Sequence, residues 1–162
     1  MAARRTLKLL QAGTRAPDFR LPRLDGGEET LDELIAGGEV LLVFFKVTCP
    51  TCQLTFPFLE RLHQGGALPI CGISQNDVED TREFMREFGV TFPTLLDSEE
   101  GDFETSNAFG ISSVPTMFLV EGGGTISYVS EGWSKKEIEG LGAKAGVRPF
   151  RPGERVPEWK PG

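Results

Sequence analysis

Apolar residues along this chain fall into short runs separated by turn signals, and the runs switch between strand and helix spacing. Residues 40–47 form an apolar run of strand length, led by Val40-Leu41-Leu42-Val43-Phe44-Phe45, as expected of a strand buried on both faces. Residues 50–66 then change to helical spacing, with Phe56, Leu59 and Leu62 on one face and Gly65-Gly66 as the stop. Leu68-Pro69-Ile70-Cys71-Gly72-Ile73-Ser74 reads as a second buried strand. Asn76 or Asp77 caps a helix reaching Phe88, with Phe84, Met85 and Phe88 as its apolar face and Gly89 as its stop. Residues 90–97 read as a short apolar link, and a short helix is expected over residues 104–109. Residues 116–120 form a strand, Gly122-Gly123-Gly124 turns the chain back, and residues 125–129 pair with it as a hairpin. Ser134 caps a last helix running to about Lys144.

Before the first long strand the pattern is weaker. Ala16-Pro17-Asp18-Phe19-Arg20-Leu21 reads as extended, because Pro17 disfavours a helical start. Asp25-Gly26-Gly27 is a turn signal, and Thr30 with Glu33 three positions later marks a short capped helix. The order is β-α-β-α-β-β-α, an α/β chain whose central mixed sheet carries helices on both faces. Three segments follow: an N-terminal arm (1–15), one domain (16–145) and a Pro/Arg-rich tail (146–162) with no regular structure expected.

Composition narrows the function. A chain of 162 residues with 39% apolar content and 12 Phe is enough for one domain with a real core. The net charge of −7 argues against non-specific nucleic-acid binding. The tail runs against that balance, with Lys144, Arg148, Arg151, Arg155 and Lys160 set against Glu154 and Glu158. No apolar run is long enough for a membrane span, and Leu9-Leu10 is too short for a secretory signal core. The expected compartment is therefore the cytoplasm, which is reducing. A close cysteine pair there is more often catalytic or metal-binding than structural.

The three cysteines are unevenly placed. Cys49-Pro50-Thr51-Cys52 lies where the long strand gives way to a helix. A helix N-terminus has unpaired N–H groups and partial positive charge, which favour a thiolate on Cys49, the reactive form. Cys52, one turn on, is close enough to close a disulfide. The competing reading of the pair is half of a zinc site, but Cys71 and His63 are the only further thiol or imidazole ligands and neither has a matching spacing, which favours redox chemistry. Cys71 between Ile70 and Ile73 reads as a core residue, and His63 as a solvated helix residue. No metal and no cofactor are expected.

These residues resemble the thioredoxin superfamily. The resemblance is carried by the apolar strand, Cys49-Pro50-Thr51-Cys52, Pro57 in the following helix and Val114-Pro115-Thr116 before a later strand. It covers roughly residues 14–145. Ala16-Pro17-Asp18-Phe19-Arg20-Leu21, Gly72-Ile73-Ser74 and Phe92-Pro93-Thr94-Leu95-Leu96-Asp97 place it nearest the TlpA-like and peroxiredoxin-like (AhpC/TSA-type) branch. The resemblance implies a thioredoxin-like fold and a thiol–disulfide oxidoreductase. Cys49 would be the nucleophile and Cys52 the resolving thiol. Val114-Pro115 would form a cis peptide in a loop that offers the Val114 backbone to an extended substrate segment. The implied partners are a protein disulfide or dithiol substrate and an electron donor or acceptor of unspecified identity. Thr48, Pro50, Thr51 and Lys46 are the expected supporting residues. Lys46 either favours the thiolate by its charge or is a snorkelling strand-end lysine.

Two departures stand out. Thr48 and Val43 hold positions where thioredoxins carry Trp and a buried Asp, so the proton acceptor for Cys52 is not evident. A thiol peroxidase on Cys49 is the alternative function, since Val47-Thr48-Cys49-Pro50-Thr51 resembles the peroxiredoxin stretch. However, Leu42, Lys46 and Cys52 stand where that family has Pro, Thr and Glu. A redox-sensing or zinc-binding module is a third reading.

Overall fold

The computed structural model describes residues 8–162, so the first part of the expected N-terminal arm lies outside the described residues. The described elements are β1 (Arg20–Pro22), β2 (Glu28–Thr30), α1 (Leu31–Ile35), β3 (Val40–Phe45), α2 (Pro50–Gln64), β4 (Ile70–Ser74), α3 (Val78–Glu87), β5 (Thr94–Leu96), α4 (Glu104–Phe109), β6 (Thr116–Val120), β7 (Ile126–Glu131), β8 (Trp133–Ser134), α5 (Lys135–Ala145) and β9 (Trp159–Lys160). The central sheet is five-stranded in the order β5-β4-β3-β6-β7. β3 runs parallel to β4 and antiparallel to β6, with Val43 opposite Gly72 on one side and Met117 on the other.

β3 is central and every one of its residues is buried, which is why its sequence is continuously apolar rather than alternating. Neighbouring strand residues point to opposite faces, and Phe44 and Phe45 use this to hold two layers. The Phe45 ring meets Phe56 of α2 at 4.3 Å and Phe84 of α3 at 5.2 Å between centroids. The Phe44 ring meets Phe109 of α4 at 5.1 Å and Phe118 of β6 at 5.7 Å. Helices therefore cover both faces of a mixed sheet. Among the described residues no helix is long and apolar enough to cross a membrane.

Local signals end most elements where expected. Thr30 caps α1 by accepting from the Glu33 N–H, Asp77 caps α3 through the Asp80 N–H at 2.8 Å, and Ser134 caps α5 through the Glu137 N–H. Two expectations fail. Residues 90–97 are not simply a link, because Thr94–Leu96 forms β5, parallel to β4 at the sheet edge. Three residues after a proline give no periodic signal; the strand forms because β4 offers it a ladder. Residues 146–162, expected without regular structure, instead follow an ordered path and contain β9, which pairs with β8. The described part of the arm is also tied down. Leu10 N–H donates to the Phe109 carbonyl at 3.1 Å and Gly13 N–H to the Ile126 carbonyl at 2.8 Å.

Candidate active site

Cys49 is the N-cap of α2. Its backbone is extended (φ −82°, ψ 115°), Pro50 opens the helix, and its sulfur accepts from the Cys52 N–H at 3.2 Å. The position is one normally held by Ser, Thr or Asp, so the thiol takes the role of a capping oxygen. The N–H groups of the first turn, paired with nothing inside the helix, stabilise negative charge on that sulfur. β3 and the following turn set the approach: Cys49 N–H donates to the Lys46 carbonyl at 3.3 Å, and Gln53 Nε2 donates to the Val47 carbonyl at 3.0 Å.

The cysteines have opposite environments. Cys49 is half-buried beside exposed Thr48 and Pro50, whereas Cys52 is fully buried. The Cys49 thiol is lowered to about 6, chiefly by its hydrogen bond with the Cys52 side chain, against partial burial and with help from the Cys52 and Thr51 N–H groups and the Lys160 charge. When protonated it donates to the Val114 carbonyl at 3.3 Å; the thiolate keeps only the bonds it accepts. Burial pushes the Cys52 thiol well up, and its hydrogen bond to Cys49 adds to the shift. One sulfur is thus poised as thiolate near neutral pH and its neighbour stays protonated.

The Val114–Pro115 bond is cis, and the loop carrying it stands against Cys49. Thr116 Oγ1 donates to the Ser113 carbonyl at 2.7 Å, and Gly132 N–H donates to the Pro115 carbonyl at 2.8 Å, so both ends of the turn are held. The geometry brings Thr48, Cys49, Pro50, Thr51, Cys52, Val114 and Pro115 together. The Lys46 side chain is exposed and lines a separate depression with Gln75, Asn76 and Asp77. Its backbone, not its ammonium, is what touches the pair. Val43 is buried in β3. Cys71 is buried in β4, its thiol pushed up to about 12 by burial, which leaves it inert as a nucleophile. His63 lies near the far end of α2 with its ring 6.0 Å from Phe92. Among the described residues, no three of His, Cys, Asp and Glu converge as a metal-ligand set.

The sequence did not mark Lys160, Pro161 and Gly162 as neighbours of this site. Thr51 Oγ1 donates to the Pro161 carbonyl at 2.6 Å, and Lys160 is the charged side chain that bears on Cys49. The apolar residues that carry the tail there, Val147, Phe150 and Val156, have no regular spacing, so no periodic signal marked the contact.

Residues 12–129 match the model of the AhpC/TSA family. The chain is 30% identical over 129 residues to the thiol-disulfide oxidoreductase ResA of Geobacillus thermodenitrificans, covering 77% of this chain and 72% of that protein. In structure it resembles the thioredoxin domain of a thiol-disulfide oxidoreductase from Bacteroides vulgatus, with TM-score 0.73 at 21% identity over 83% of this chain and 97% of that one. It also resembles peroxidoxin BcpB of Mycobacterium tuberculosis, with TM-score 0.69 at 21% identity over 86% and 99% of the two chains. At that identity the structural likenesses show a shared fold alone.

Proposed function

This chain belongs to the AhpC/TSA family and is a thioredoxin-like thiol–disulfide oxidoreductase, and from that premise we propose that Cys49 and Cys52 are its redox centre, acting through a mixed disulfide with protein substrates. The observation that carries this reading is the split between the two thiols at the start of one helix: Cys49 half-buried and lowered to about 6, chiefly by its hydrogen bond with the Cys52 side chain and further by the Cys52 and Thr51 N–H groups, and Cys52 buried and held protonated.

In the reducing direction the Cys49 thiolate attacks one sulfur of a substrate disulfide. The Cys49–substrate S–S bond forms, the substrate S–S bond breaks, and the other substrate sulfur leaves as a thiolate. That thiolate is the nearest new base, and it takes the Cys52 proton in a site where Val43 supplies none. The Cys52 thiolate then attacks Cys49 sulfur, closes the Cys49–Cys52 disulfide and expels the second substrate sulfur as a thiolate, which takes a proton from water. The substrate gains two electrons, and the enzyme disulfide must be reduced by an external dithiol. The Val114 backbone, 3.3 Å from the Cys49 sulfur through its carbonyl, is the surface along which an extended substrate segment would lie.

Insulin reduction with dithiothreitol as donor tests the reading. Turnover is expected for the native chain and none above the dithiothreitol background for Cys49→Ser. Cys52→Ser is expected to accumulate a mixed disulfide on Cys49. A Cys52→Ser protein that traps no substrate, or hydrogen-peroxide consumption that survives Cys52→Ser while insulin is untouched, would overturn it in favour of a one-cysteine peroxidase.

A further inference from the structure

The tail does not trail away from the domain; it crosses α2 and reaches the redox pair. Its path is anchored at every stage. Arg61 of α2 donates to the Pro149 carbonyl at 2.8 Å and grips both carboxylate oxygens of Glu154 at 2.7 Å. The Phe150 ring packs on Phe58 at 5.2 Å, and Phe58 in turn lies 5.3 Å from Trp133. Trp133 Nε1 donates to the Pro157 carbonyl at 2.6 Å, and Lys135 N–H to the Glu158 carbonyl at 3.0 Å. β9 then pairs antiparallel with β8, setting Lys160 opposite Trp133. Pro161 accepts from Thr51, one of the two residues between the cysteines, and Gly162 lies against the Val114 backbone.

The final contacts are close enough to require glycine. A Cβ on Gly162 would stand 2.3 Å from the Val114 carbonyl oxygen and 2.9 Å from its carbon, both rigid backbone atoms. Gly132, at φ +72°, lies under the same strand, and a Cβ there would meet the Lys160 carbonyl oxygen at 2.6 Å. The segment therefore occupies the strip of Val114 backbone that borders the Cys49 sulfur. We propose that residues 159–162 are the specificity-determining element of this site, a strap that fills the groove an extended protein segment would take and admits small disulfides directly. The inference rests on the preceding reading of Val114 as the substrate-facing backbone. Cys49 remains half-exposed beside Thr48 and Pro50, so a compact disulfide reaches it with the strap in place. An extended chain must first displace Gly162 and Pro161. Its apparent affinity is then reduced by the fraction of molecules whose strap is open.

Two variants release the strap without touching the cysteines or the Val114 loop. Gly162→Ala introduces the backbone clash at the site, and Glu154→Ala removes the Arg61 anchor at a distance from it. Reactions are compared at pH 8, where the Cys49 thiolate is formed in every variant, so that losing the Lys160 charge does not confuse the rates. Insulin and oxidised glutathione serve as the extended and the small disulfide. With a strap open in about a tenth of molecules, both variants should raise kcat/KM for insulin about tenfold and leave that for oxidised glutathione within about twofold. Where the native chain reduces insulin, a gain of equal size on both substrates, or on neither, overturns the strap proposal.

Alkylation of Cys49 judges the strap without turnover. The rate with a 5-kDa maleimide-polyethylene glycol, divided by that with iodoacetamide, should rise in both variants, and an unchanged ratio overturns the proposal. Absence of insulin reduction in every variant, with this ratio still raised, would strike the protein-substrate reading and not the strap's position.

Discussion

At the scale of single residues, the chemistry depends on one sulfur serving as a helix cap. Cys49 accepts the Cys52 N–H in the place of a capping oxygen, and this ties its charge state to the helix. Its alkylation by iodoacetamide should pass half-maximum near pH 6 and be flat above about pH 8, while Cys52 stays unreactive across that range. A midpoint near the ordinary 9.0 would mean that the cap does not stabilise the thiolate. The same shift bears on stability. The folded value lies below the unfolded 9.0, so the thiolate's contribution is full above that pH and is lost as pH falls through about 6. In the reduced state, native protein should therefore lose more stability than Cys49→Ser between pH 9 and pH 6, as read by urea midpoints. The place of Cys49 and Cys52 at a helix start and the caps Thr30 and Ser134 were legible in the sequence, because each acts on neighbours within one turn; the α3 cap was open between Asn76 and Asp77, and the cis bond before Pro115 followed only from the family resemblance. Lys46 had a charge of the right sign, yet its side chain faces another depression, and the cation that bears on Cys49 is Lys160.

At the scale of elements, α2 holds the pair in place through the ring that it inserts under the sheet. Phe56 is fully buried between Phe45, Phe84 and Phe92 at centroid distances of 4.3, 5.2 and 5.5 Å. Phe56→Ala should cost about 3–5 kcal/mol in denaturant unfolding, since this cluster joins β3, α2 and α3 and cannot collapse on the cavity. Glu60, on the same helix, fixes its far half. Burial raises its carboxyl, but the Thr91 N–H and hydroxyl and the Gln64 amide outweigh this and hold it below the usual range. Glu60→Ala should lower stability by roughly 0.5–1.5 kcal/mol, the net worth of the hydrogen bonds it accepts from Thr91, whose donors can turn to water, again measured by urea unfolding. β3, α2, β4 and the β6–β7 hairpin were readable from periodicity. β5 was not, because an edge strand of three residues after Pro93 exists only through its ladder with β4.

At the scale of the whole molecule, the tail lies against the cysteine pair, with Pro161 bonded to Thr51 and Gly162 beside Val114. One of its anchors, Glu154, is held at about 2 by Arg61 and by the Arg151 N–H. The ion pair's contribution is thus complete above the ordinary 4.5 and is lost only as pH falls through about 2. Hydrogen exchange over residues 155–162 should accordingly be as slow at about pH 5.5 as at neutral pH once corrected for intrinsic rates, and faster in Arg61→Leu at both. Equal protection in Arg61→Leu would show that β9 and the Trp133 bond hold the strap without the ion pair.

By itself the sequence determined the close cysteine pair, its place at the start of a helix, and the alternation of strands and helices that stacks into this α/β sheet. Those features follow from spacing and from contacts between residues near one another in the chain. Only the tertiary structure decided which charge faces Cys49, where the Pro/Arg-rich tail runs, and that Gly162 lies on Val114. The bond that seats the strap, Thr51 to Pro161, spans 110 positions. It is made by a backbone carbonyl, which every residue carries, so no residue type in the tail could announce it.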